Sequence, residues 1–172
     1  MNVRHRRADD IAACVEILEG TAVADGYPLN RRDVRDSFVV RKRELGAWVA
    51  EIDNRVVGHV SIQWPDDWLT YQVVRDVTGL TADEVSILSA LFVSVEYRGR
   101  AVGRGLIDHA VQASRAMGRH PALDVGKTLT SAVAVYEAAR WRRIGEIAFA
   151  IGDVPVESWV YLAPDSLPFS TG

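Results

Sequence analysis

Residues 85–95 run Val-Ser-Ile-Leu-Ser-Ala-Leu-Phe-Val-Ser-Val, uncharged and apolar on both alternating faces. A strand of that kind has to be covered on both sides. It leads into a loop holding Arg98, Gly99, Arg100, Gly103 and Arg104. An amphipathic stretch follows, Gly103–Met117, with Leu106, Ile107, Ala110, Val111 and Met117 on one helical face and Gly118 to end it. A buried strand, a glycine loop and a helix in succession restrict the fold to sheets flanked by helices. The expected class is α/β, in the α+β sense of a mixed sheet with both faces covered.

The remaining segments fit that frame. Residues 2–6 read as a first strand. Asp9 and Asp10 stand where a helix would be capped, ahead of Ile11, Val15 and Leu18 at helical spacing. Residues 20–30 hold Gly20, Gly26 and Pro28 and are expected to be loop, and the charged residues 31–43 a second, exposed helix. Residues 47–52 and 55–64 flank Asp53-Asn54 as a β-hairpin ended by Pro65. A short helix is expected within 66–82, a strand at 122–125, an Ala-rich helix at 130–140 and closing strands at 144–151 and 156–162. The organisation expected is one domain over residues 1–172, with an insertion at about 64–82 and a surface tail at 163–172.

Composition excludes several classes. Twenty Lys and Arg against 23 Asp and Glu give a net charge of −3, the wrong sign for a nucleic-acid or membrane-surface binder. Cys14 is the single cysteine, so neither an internal disulfide nor a cysteine-rich zinc site can form. The four histidines have no metal-ligand spacing, so no metal is expected. No apolar run approaches membrane-spanning length, and no secretory signal is visible behind the polar N-terminus. A cytoplasmic setting is the expectation.

The charge is unevenly placed. Residues 83–96 carry three acidic groups and no basic one, whereas residues 98–119 carry five Arg against one Asp. The first-turn amides of a helix have no partners within it, and the helix dipole gives them roughly half a positive charge. With glycines that let an anion come close, and arginines beside them, the segment suits a phosphate or pyrophosphate. The alternative is a surface turn with solvated arginines. Two other phosphate motifs fail. Gly126-Lys127-Thr128 would need a glycine at Pro121 to complete a P-loop, and Gly103-x-Gly105 would need one at Asp108 to complete a dinucleotide fingerprint.

Arg98-Gly99-Arg100-Ala101-Val102-Gly103 resembles motif A, [QR]-x-x-G-x-[GA], of the GNAT superfamily of acyl-CoA-dependent N-acyltransferases, with Ala101 in place of the central glycine. Ala132, Tyr136 and Trp141 are similar to its motif B, with Leu129 where the family has Asn and Arg140 where it has Gly. The resemblance implies a mixed sheet of about seven strands, splayed between strands 4 and 5. It implies acetyl-CoA as co-substrate, with Leu91, Phe92 and Val93 pairing to its pantetheine. Its pyrophosphate would rest on Arg98, Gly99, Arg100, Ala101, Val102, Gly103 and Arg104. It also implies direct attack by an amine on the thioester, and a homodimer as a common assembly.

Two roles remain for side chains. Tyr136 matches the family's tyrosine and is expected to protonate the leaving thiolate. Asp124, a carboxylate inside the apolar strand Leu123-Asp124-Val125, is either the base or the partner of an arginine. Glu84 and Glu96 are alternatives for the base. Tyr27, His59, Trp64, Trp68 and Glu84 are the candidates for the acceptor side, although His59 also reads as a structural histidine. The expected function is acetylation of a small-molecule amine, because the insertion would narrow a channel that a peptide needs. The alternatives are a protein N-terminal or lysine acetyltransferase, and a non-catalytic acyl-CoA-binding regulatory module.

Overall fold

A computed structural model describes residues 1–29, 33–65 and 69–164. Seven strands form one sheet: β1 (Asn2–His5), β2 (Glu44–Ile52), β3 (Arg55–Gln63), β4 (Val85–Val93), β5 (His120–Gly126), β6 (Arg142–Ile151) and β7 (Val154–Leu162). Their spatial order is β1-β2-β3-β4-β5-β7-β6. Only β4 and β5 run parallel, and the other neighbours are antiparallel. The helices are α1 (Ile11–Asp25), α2 (Asp36–Val39), α3 (Leu69–Thr78), α4 (Val102–Ala116) and α5 (Thr130–Ala138).

The β2–β3 hairpin turns on Asp53 and Asn54, both at positive φ (50° and 59°), as a two-residue turn between right-twisted strands requires. Two expectations are corrected. Helix α1 does not stop at Gly20 but runs on to Asp25, and Gly26 at φ 71° ends it. Burial of Thr21 and Ala22 beyond Gly20, continuous with Leu18 before it, outweighs the roughly 1 kcal/mol that one glycine costs. The helix expected over 31–43 shrinks to the four residues of α2, while residues 30–32 lie outside the described residues.

One face of the sheet is covered by α4. Its Leu106, Ile107, Ala110 and Val111 pack on Trp48, Val60, Leu88, Leu123 and Tyr161. Two helices share the other face. On the β2–β4 half, Cys14 and Leu18 of α1 pack with Val49, Ala90 and Phe92. On the β5–β7 half, Val74 of α3 packs with Ile87, Ala122, Ile147 and Val160.

The sheet opens between those halves. β4 and β5 pair at only three positions, Val85↔His120, Ser86↔Pro121 and Ile87↔Ala122. Just beyond, β4 carries a bulge, where the register against β3 jumps from His59↔Phe92 to Ser61↔Ser89. Ala90 in the bulge has φ 48°, a left-handed conformation costing an L-residue roughly 1–2 kcal/mol. His59 holds it, with Nδ1 2.8 Å from the Ala90 carbonyl and its ring stacked on Phe92. A bulge bends and twists its strand, and the free edge of β4 thereby faces a cleft.

Candidate active site

At the end of β4 the chain makes a 3₁₀ turn, Val95–Tyr97, and reaches α4 through Gly99 (φ 72°) and Ala101 (φ 58°). The first bond of α4 runs from the Gly105 amide to the Ala101 carbonyl, at 3.0 Å. Among the described residues, the amides from Gly99 to Arg104 have no backbone acceptor. Amides left in that arrangement at a helix start are able to receive an anion. A side chain at Gly103 would meet only Val93 Cγ2, at 3.6 Å, so glycine there keeps the approach open rather than serving packing.

The arginines are less available than their number suggests. Arg98 holds Asp25 at the end of α1 through two bonds of 2.8 and 2.5 Å. Arg104 holds Asp108 one turn along α4, at 2.9 Å. Arg100 lies over the Tyr97 ring, 5.3 Å from its centroid. Both ion pairs are exposed, and pairs of that kind contribute little.

Tyr136 comes from α5 and is 5% exposed. Its ring meets Trp141 edge-on at 5.5 Å and lies 6.2 Å from Tyr161. Helix α5 ends in a Schellman motif. Trp141 N–H donates to the Tyr136 carbonyl and Arg140 N–H to that of Glu137, with Arg140 left-handed at φ 62°. The Tyr136–Trp141 contact is the apolar clasp that accompanies this motif, so the helix end fixes the tyrosine. Burial is the main reason its phenol lies above the ordinary value, with Tyr27 and Asp124 adding to the effect. Burial also raises the Tyr27 phenol most, with Arg41 acting downward and Asp124 upward.

Asp124 projects from β5 to the side opposite Leu123 and Val125. Its Oδ1 accepts a 2.7 Å bond from the buried hydroxyl of Thr70 on α3. Tyr27, Tyr136 and Asp124, from three separate elements, are thus electrostatic neighbours. Leu29, two residues after Tyr27, approaches Gly126 at the end of β5, as Leu129 does. Thr70 had no signal in the sequence, since one hydroxyl in an expected surface helix is unremarkable.

Other candidates lie elsewhere. His59 is fully buried beneath the bulge. Its Nε2 lies 3.1 Å from the Arg6 guanidinium, which donates, so the Nδ1 proton goes to Ala90. Burial above all pushes its pKa down to about 4, and the ring is neutral. Glu84 caps the turn ahead of β4, accepting from the Thr81 amide at 2.9 Å. Trp64 stacks on Arg119, at the end of the sheet where β4 and β5 are still paired. Glu96 is exposed beside the loop, and Trp68 lies outside the described residues.

The family model "Acetyltransferase (GNAT) family" matches residues 11–140. The chain belongs to the GNAT acetyltransferase family. It is accordingly an acyl-CoA-dependent N-acetyltransferase. Solved GNAT structures share its fold at low identity. The ribosomal-protein-alanine N-acetyltransferase from Brucella melitensis is 17% identical, with a TM-score of 0.62 over 94% of this chain and 98% of that one. NAA60 from Arabidopsis thaliana in complex with acetyl-CoA is 17% identical, with a TM-score of 0.67 over 94% and 97%. A protein described as a candidate phosphinothricin N-acetyltransferase is 17% identical, with a TM-score of 0.67 over 96% and 99%. No curated protein sequence matches this chain. The departures of this GNAT sequence from its family's motifs acquire a backbone meaning. Ala101 and Arg140 stand where the family has glycine, and both are left-handed.

Proposed function

We propose that the protein acetylates a small primary amine by direct attack on acetyl-CoA, with Tyr136 as the general acid and Asp124 as the general base. The observation that carries this reading is the place of Asp124 on β5, just past the last residue paired with β4 and held by Thr70, with the buried phenols of Tyr136 and Tyr27 as electrostatic neighbours.

The amides from Gly99 to Arg104 would receive the pyrophosphate, and Arg100, which makes no ion pair among the described residues, is free to swing toward it. The edge of β4 at Leu91, Phe92 and Val93 has β3 on one side only, so its other side can pair with the pantetheine amides as an added strand would. The substrate's ammonium gives its first proton to Asp124 and becomes the attacking amine. The Thr70 hydroxyl donates to Oδ1 and so orients the carboxylate. Nitrogen then attacks the thioester carbon, and collapse of the tetrahedral intermediate expels the thiolate. Tyr136 gives the thiolate its proton and is restored by the second proton, which the acylated nitrogen sheds. Burial weakens the phenol as an acid, but the same desolvation raises the proton affinity of a thiolate released beside it.

The covering of the acceptor side by α3 and the Gly26–Leu29 segment supports a small substrate. Helix α3 lies over β5–β7 and brings Thr70 onto Asp124, and the Gly26–Leu29 segment reaches the end of β5 from the other flank. Thiol release from acetyl-CoA with a panel of small amines and a panel of unblocked peptides tests the reading. Turnover of small amines is expected. Turnover of peptides alone would move the assignment to protein N-termini, and CoA binding without turnover of either would leave a binding module.

A further inference from the structure

We infer that His59 is a positioning residue for acyl-CoA: by holding Ala90 outside the β3–β4 ladder, it decides which peptide groups β4 turns to the pantetheine arm. This rests on the pairing of that arm with the edge of β4 put forward above, and it names the side chain that makes the edge fit.

The register shows what the bulge does. Gly58↔Val93 and His59↔Phe92 pair on one side of it and Ser61↔Ser89 on the other, so Ala90 and Leu91 together stand opposite Val60. Past the bulge the Ser94 amide donates to the Val57 carbonyl at 2.8 Å. Peptide groups alternate in direction along a strand, so those of Val93 and Leu91 point away from β3. On that side no strand pairs with them among the described residues. Without the extra residue the pairing of this segment would slip by one. Such a slip turns every side chain to the other face and every peptide group to the other edge, and the groups now facing the open side would face β3.

The bulge is unfavourable without support. Its extra residue leaves the ladder, and a buried carbonyl there needs another donor. Ala90 is also left-handed, at φ 48°, in a kind of bulge that ordinarily takes glycine. His59 meets both demands. Its Nδ1 lies 2.8 Å from the Ala90 carbonyl, and its ring stacks on Phe92 with centroids 5.1 Å apart and 19° between the planes. The ring is braced from behind by Arg6, which donates to Nε2 at 3.1 Å and to the Val39 carbonyl at 2.7 Å and pairs with Glu44 at 2.8 Å. His59 and Ala90 are both buried, so the histidine and not solvent supplies the donor.

Calorimetry with two ligands tests the inference: acetyl-CoA, and phosphoadenosine diphosphate, the part of CoA that remains when the pantetheine arm is removed. Wild type should prefer acetyl-CoA. His59→Phe keeps a ring against Phe92 and leaves Arg6 its bonds to Val39 and Glu44, but it removes the donor. It should weaken acetyl-CoA about tenfold, as the loss of one buried hydrogen bond does, and leave the fragment within about twofold. His59→Gln, which keeps a donor and an acceptor, should retain most of the preference. Ala90→Gly takes the left-handed conformation freely and should restore the preference when added to His59→Phe. Ala90→Val resists that conformation with His59 in place, should show the same selective loss, and decides the matter if His59→Phe does not fold. Equal weakening of both ligands overturns the inference, because a merely structural histidine would act that way. A wild-type preference that survives in His59→Phe or Ala90→Val overturns this inference alone, whereas a wild type that binds both ligands alike sinks the β4 pairing with it. No amine enters the measurement, so a failure of turnover would sink the small-amine reading and leave this one standing.

Discussion

The two ends of the proposed site are built from different materials. At the start of α4 the anion site is backbone: amides from Gly99 to Arg104 whose direction is set by the strand–loop–helix path. At the mouth between β4 and β5 it is side chains, Tyr27, Asp124 and Tyr136, each brought from a different part of the chain. A backbone site keeps its donors when side chains change, so it withstands Ala in place of Gly at 101. A side-chain site has no such reserve, and one substitution removes a function.

That contrast is most sharply broken at Tyr136. Tyr136→Phe keeps the ring and the clasp with Trp141 but removes the proton, so kcat should fall by roughly 10²–10⁴. CoA affinity should stay within about twofold, because the amides are untouched. An unchanged kcat would remove Tyr136 as the acid.

Acid should disturb the mouth while sparing the loop. His59 beneath the bulge is neutral, with its pKa moved from 6.5 down to about 4, mainly by burial. Between those values the unfolded chain binds a proton that the native protein does not. This stability is therefore complete above pH 6.5 and is lost as pH falls toward 4. At about 1.4 kcal/mol per pH unit the loss approaches 3 kcal/mol. Urea unfolding from pH 7 to 4.5 should show the decline and His59→Gln should flatten it; a flat wild-type profile would contradict the neutral histidine. Asp10, whose carboxyl the Arg4 guanidinium holds below 3.8, contributes in the same direction only at lower pH.

The backbone site yields to a charge rather than to bulk. A side chain at Gly103 meets nothing closer than 3.6 Å, so Gly103→Ala should bind CoA almost as well as wild type. Gly103→Glu sets a carboxylate against the same amides and should weaken CoA about thirtyfold, on the order of 2 kcal/mol. Calorimetry on both variants checks the pair, and equal affinities would move the pyrophosphate elsewhere. The smallest effect is expected at the left-handed departures. Arg140→Gly removes the Cβ strain at φ 62° but loosens the unfolded chain. The net gain should be about 0.5–1 kcal/mol, read as a higher Tm.

Legibility in the sequence followed the same division. The apolar run at 85–95, the glycines and the helix behind them identify a backbone site because all three are contiguous. The hairpin at Asp53-Asn54 was legible for the same reason. At the mouth, Tyr136 and Asp124 could be named one at a time, from a motif and from a charge inside an apolar strand, and Tyr27 from its ring. Thr70, which holds Asp124, could not, because it is far away in the sequence and a lone hydroxyl carries no pattern. Glu84 looked catalytic by its position before the central strand, but the local Thr81 cap accounts for it.

The three pairs of residues that join β4 to β5 have one more consequence. Among the described residues they are the only strand pairing between a four-stranded half and a three-stranded half. The pairings within each half are longer, and α4 packs across the seam on both halves. A molecule pairing along the free edge of β4 mends the seam as well as filling the cleft. Once it is in excess of its Kd, each further tenfold in its concentration adds about 1.4 kcal/mol to the folded state. The durability of this protein is then set in part by the supply of what it consumes.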